Sequence, residues 1–174
     1  MKGEIISESA VRFARQLSAA PVKVWEFLTE ASRLPEWYGE GRIEPREGGA
    51  VSFVSGRVRG VVTGWRPEKF LGYTWNVFQP GDATASSSEA EGHQKVSAWP
   101  VSYVEFALDA AANGTALILT HRPIPDTMQK QTAMGWHTYL DLLTAGLAGD
   151  FPRRADLFAK NAALYGVDMN NLKG

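Results

Sequence analysis

Residues 114–147 read GTALILTHRPIPDTMQKQTAMGWHTYLDLLTAGL, and this stretch decides the architecture. Its first part, residues 115–121, has the composition of a short strand, and Pro123 and Pro125 mark a turn after it. The remainder predicts one long amphipathic helix. Trp136, Leu140, Leu143 and Leu147 recur in it at spacings of four, three and four, so they share one face. Almost everything upstream reads as strands, so a single long helix must cover a curved sheet. The space between two such layers often holds a small apolar ligand.

Working outward, residues 10–18 alternate: Val11, Phe13, Arg15 and Leu17 share one face, and Arg12, Ala14 and Gln16 the other. Pro21 sits where a helix would begin, with Val24, Trp25 and Leu28 at helical spacing behind it. A second short helix is expected over residues 31–37, and a turn at 45–49. Strand-like runs follow at 50–55, 57–65 and 70–78, then a hairpin of 97–108 and 116–122. In that hairpin Val104, Phe106 and Leu108 share a face, as do Leu117, Leu119 and His121. The expectation is an α+β fold: about six to seven antiparallel strands, two short helices after the first, and the long helix last.

Two segments stand apart. Residues 79–95 lose almost all apolar side chains, which predicts a mobile loop. Residues 150–174 predict a further short helix with Leu157, Phe158 and Leu164 as its apolar contacts. The division is therefore one domain over 1–149 and a helical extension over 150–174. The extension either packs on the outside of the domain or serves as a homodimer contact.

The chain has 174 residues, enough to bury roughly 70% of its unfolded surface in one core. Eighteen basic and nineteen acidic side chains give a net charge of -1, with no basic stripe for nucleic acid. There is no cysteine, which excludes disulfides, thiolate nucleophiles and Cys-ligated zinc. No apolar run has the length of a signal peptide or of a membrane span, so a cytoplasmic location is expected.

Several short motifs then fall into one order. Ala20-Pro-Val-Lys-Val-Trp25, Leu28-Thr29 and Glu36-Trp37 come first, followed by Glu47-Gly-Gly-Ala-Val-Ser-Phe53 and by Gly60, Pro67 and Leu71. Tyr73-Thr-Trp75, residues 114–121, and Gly135-Trp136 with Leu140 and Leu143 complete the set. Together they resemble the START-like, polyketide-cyclase-like superfamily (SRPBCC), in its branch of homologues of the activator of the heat-shock-protein-90 ATPase. The resemblance spans about residues 11 to 147. It implies a helix-grip fold, a bent antiparallel sheet around the C-terminal helix with a cavity between. Members range from lipid and hormone carriers to cyclases and co-chaperone domains, so the fold alone fixes no function. The loop 79–95 and the extension after Gly149 depart from the family pattern.

The candidate cavity wall is aromatic: Trp25, Phe53, Tyr73, Trp75, Tyr103, Phe106 and Trp136, with Leu140. These side chains serve equally in an ordinary core. Arg15 on an apolar strand face needs a carboxylate, backbone carbonyls or an anionic ligand group, and Glu105 is a partner only if it points inward. His121 should face the interior, as a cavity hydrogen-bonder, a catalytic acid or base, or a strand-end histidine bonded to nearby backbone. His137 and Asp141 lie four apart, about 100° around from the Trp136 stripe, and read as a surface pair. With three histidines in all, one of them in the polar loop, a metal site lacks ligands, and no cofactor motif is present.

Three functions compete. The first is binding of a small, mainly apolar or amphipathic molecule between sheet and helix. The second is a cyclase- or dehydratase-type enzyme acting on such a molecule, with His121 or a cavity tyrosine as acid or base. The third is a protein-interaction module like the co-chaperone domains. A single interior histidine is thin material for catalysis, so binding is preferred.

Overall fold

A computed structural model describes residues 4–7, 9–77 and 101–172. The alternation at the start becomes a strand: in β2 (Ala10–Leu17) Val11, Phe13 and Leu17 are buried and Ala14 and Gln16 exposed. A short strand β1 (Glu4–Ser7) precedes it. Pro21 opens α1 (Pro21–Thr29), where its missing N–H and fixed φ cost nothing. A short α2 (Leu34–Trp37) follows. The remaining strands are β3 (Gly41–Ile43), β4 (Ala50–Phe53), β5 (Val58–Arg66), β6 (Phe70–Val77), β7 (Ser102–Ala111) and β8 (Gly114–Arg122). A 3₁₀ turn (Asp126–Met128) leads into α3 (Gln129–Leu147), and α4 (Arg154–Tyr165) is last.

The strands make one eight-stranded sheet in the order β1-β2-β8-β7-β6-β5-β4-β3, antiparallel at every pairing. This is the expected α+β helix-grip architecture. The edge strands β1 and β3 add to the predicted set, and because β1 comes first, the short helices follow the second strand. The expected loop 79–95 and the first residues of the predicted 97–108 strand lie outside the described residues. The β7–β8 turn closes against the end of β2. Gly114 there has φ 141°, and a Cβ on it would run into the Leu17 carbonyl oxygen, so only glycine fits without movement.

Trp136, Leu140 and Leu143 are buried as their spacing predicts, and Leu147 is half-buried. The far side of α3 differs from expectation. His137, Thr138 and Leu142 are buried too, because α4 lies along α3 and takes the place of solvent. A helix enclosed on both sides needs a partner for every polar side chain, and α4 supplies several. It ends at Gly166, which takes the left-handed conformation (φ 65°) of a helix C-terminus.

Candidate ligand site

The face of the sheet under α3 is lined by rings. Phe53 from β4, Tyr73 and Trp75 from β6, Phe106 from β7 and Trp136 from α3 meet there. Tyr38, just after α2, joins them at the centre. It stacks on Trp136 at 5.9 Å between centroids and meets Tyr139 of α3 edge-on at 4.8 Å. Edge-to-face and offset-stacked rings of this kind contribute beyond the area they bury. Trp37 closes the floor, its indole N–H donating to the Phe27 carbonyl at 2.7 Å and its ring meeting Phe106.

His121 stands inside this group with both ring nitrogens engaged. The indole N–H of Trp136 donates to His121 Nδ1 at 2.9 Å. Because an indole can only donate, Nδ1 must accept, and the imidazole proton sits on Nε2. That proton faces Ser102 Oγ at 2.8 Å, and the Ser102 hydroxyl lies 3.3 Å from the Trp75 carbonyl oxygen. One satisfied relay thus runs from α3 through β8 and β7 to β6. Burial pushes the His121 pKa down to about 3, so the ring is neutral near pH 7. A saturated, neutral imidazole lends no lone pair to a substrate.

The polar groups that stay in play are phenols. Burial raises the pKa of Tyr38, Tyr73 and Tyr139, and Tyr38 is raised further by its two neighbours Tyr73 and Tyr139. All three hydroxyls therefore stay protonated and can donate to an oxygen brought among them.

The other predicted residues divide. Phe53, Tyr73, Trp75, Phe106, His121, Trp136 and Leu140 gather on the inner face, Trp75 half-buried and the others buried. Tyr103 does not: it is 44% exposed, on the outer face of β7. Its parity is opposite to the inward Val104 and Phe106, and that alternation outweighs its aromatic character. Trp25 is half-buried and packs its ring edge-on to Trp65, at 5.0 Å. Sequence reading missed Tyr38, Tyr139 and Ser102, whose positions depend on how α2, α3 and β7 converge.

Arg15 belongs to a second polar cluster, behind α3. Its Nη2 lies 3.9 Å from Asp141 Oδ1 and has no hydrogen-bond partner among the described residues, while Nη1 reaches the Ala14 carbonyl. Burial lowers its pKa, and Asp141 opposes the shift. Glu105 faces outward, beside Arg122 at 3.5 Å. The expected surface pair of His137 and Asp141 is buried on the histidine side. His137 Nδ1 lies 3.1 Å from the Tyr165 hydroxyl, its Nε2 3.6 Å from Asp141, and its ring against Phe13. Asn161 of α4 donates to Thr138 Oγ1 and to Asp141 Oδ2. A cleft of about 430 Å³ borders this cluster, lined by Arg15, Asp141 and Lys160 among others.

The family model described as Activator of Hsp90 ATPase homolog 1-like protein matches residues 18–148. The chain belongs to that family. The matched segment of this Hsp90-activator-like chain runs from the end of β2 to the end of α3 and holds most of the aromatic face; α4 lies beyond it. Similar solved structures show the same fold. CalU16 from Micromonospora echinospora is 20% identical, with a TM-score of 0.66 over 95% of this chain and 92% of that one. MLL2253 from Mesorhizobium loti is 24% identical, with a TM-score of 0.63 over 80% of this chain and 96% of its own. DynU16, from the dynemicin biosynthetic locus, is 20% identical at a TM-score of 0.65, covering 82% of this chain and 49% of DynU16. No curated protein sequence matches the chain. No helix among the described residues is long and apolar enough to cross a membrane.

Proposed function

We propose that this Hsp90-activator-like chain binds a small, mainly apolar molecule carrying one or two hydrogen-bond acceptors, held between the sheet and α3. The observation that carries the reading is the convergence of three protonated phenols, Tyr38, Tyr73 and Tyr139, on an otherwise aromatic face. Rings supply sequence-tolerant apolar area, and phenols can orient a carbonyl or ether oxygen among them. Phe53, Trp75, Phe106, Trp136 and Leu140 form the rest of the wall, and the half-buried Trp75 and Tyr139 are the rings that yield as the ligand enters. Binding is favoured over catalysis because the interior histidine is saturated and neutral, and the phenols are held away from ionisation.

Titration with a fluorescent naphthyl ketone tests this. The wild type should bind it saturably, with a blue-shifted emission, and Tyr38→Phe combined with Tyr139→Phe should weaken binding about tenfold by removing two donors. Unsaturable, non-stoichiometric emission from the wild type would sink the reading.

A further inference from the structure

One side of the aromatic group is in contact with α4. Arg154 at its start donates from Nη1 to the Tyr38 carbonyl at 2.7 Å and lies over the Tyr139 ring at 5.9 Å. One turn on, Phe158 meets the edge of Tyr139 at 5.7 Å. The helix thus rests on the ring of Tyr139 and holds the backbone of Tyr38, two of the three tyrosines proposed to orient the ligand.

The seat of α4 is unusual for a helix that belongs to a core. Asn161, Ala162 and Tyr165 are buried along its length and Leu157 and Phe158 are half-buried, so its apolar seat is a single narrow stripe. Asn161 bonds to Thr138 and Asp141, and Tyr165 lies within hydrogen-bond distance of His137, so side-chain hydrogen bonds share in holding the interface. Two atoms in it are left without a hydrogen-bond partner among the described residues, Asn161 Oδ1 and Arg15 Nη2. A helix seated on one narrow apolar stripe, with unmet polar groups, opens at a lower free energy than the sheet does. The connection to α3 allows this. Gly149 adopts φ 80° with nothing near its missing Cβ, and Pro152 follows in an exposed linker.

We propose that α4 is a movable strap over the ligand site: it swings on the Gly149–Pro152 linker, uncovers Tyr139 and releases the Tyr38 backbone to admit the ligand, and closes over it. This rests on the ligand reading above and adds the route of entry. The strap lies outside the family-matched residues 18–148.

Two measurements on the full chain decide it. Native-state hydrogen exchange should show the α4 amides opening together in mild denaturant while α3, β7 and β8 stay protected. Stopped-flow mixing with the naphthyl ketone should show association about tenfold faster for Arg154→Ala and for Asn161→Ala, since each loses bonds made only in the closed state. Exchange of α4 only in the same event as the sheet, or association rates unchanged in both variants, would overturn the strap while leaving the ligand reading standing. A wild type that binds no ketone would overturn both, and α4 opening alone would then describe a loose helix and no gate.

Discussion

Trp136→Phe separates a solid aromatic core from a lined but empty pocket. The substitution removes two ring carbons and the indole nitrogen from a side chain that is 3% exposed. At roughly 0.8 kcal/mol per buried carbon, the lost burial costs about 1.5 kcal/mol. It also strands His121 Nδ1, whose donor is the Trp136 N–H at 2.9 Å, and an unmet buried acceptor costs a further ~1–3 kcal/mol. The sum is about 2.5–4.5 kcal/mol, or roughly 10 °C in Tm for a chain of this size. Urea unfolding followed by far-UV circular dichroism reads this without relying on tryptophan fluorescence, and the m-value should not change. Adding His121→Leu removes the stranded acceptor, so the double variant should lose about 1–3 kcal/mol less than the sum of the singles. Costs that add to within ~0.5 kcal/mol would show that the indole–imidazole bond does not hold. A loss below ~1 kcal/mol together with strongly weakened ketone binding would place the ring on an open cavity instead.

Two further outcomes follow from single groups. The folded His121 pKa of about 3 lies below the unfolded value of ~6.5, so between these pH values the unfolded chain binds a proton that the folded chain refuses. Stability from this group is complete above about pH 6.5 and falls as pH drops, by ~1.4 kcal/mol per pH unit around pH 5. His121→Leu should flatten the stability-versus-pH curve by that slope, and parallel curves would refute the neutral buried imidazole. Gly114→Ala should cost about 1–3 kcal/mol in urea unfolding, because φ 141° and the Leu17 carbonyl leave no room for a methyl group; a change below ~0.5 kcal/mol would contradict that geometry.

What sequence could show, it showed through periodicity. The stripe from Trp136 to Leu143 and the alternation of Val104, Phe106 and Leu108 are local patterns, and both faces fall where their periods put them. Tyr103 is aromatic like the wall residues, but its parity is opposite to that of Val104 and Phe106, and parity puts it on the outer face. His137 is a different kind of miss. Its position on α3 implied the far side, and nothing local says that α4 returns to cover that side and to offer Asn161 and Tyr165 as partners. Tyr38 and Tyr139 likewise look unremarkable in sequence, since their meeting depends on the path of α2 against α3. The edge strands β1 and β3 are too short to carry a period and exist only by pairing with longer neighbours.

The relay through Trp75, Ser102, His121 and Trp136 bears on how the sheet chooses its alignment. Hydrophobic alternation rejects a slip of one residue between strands, because every side chain would change face, but a slip of two keeps all the faces and leaves most of the burial intact. In β7 and β8 apolar side chains recur at every second position, so such a slipped hairpin would look acceptable to the hydrophobic effect alone. It would also move Ser102 away from His121 and leave the Nε2 proton of a buried imidazole without its acceptor. Five polar atoms, spread over three adjacent strands and a helix, act as a key that turns in one alignment only.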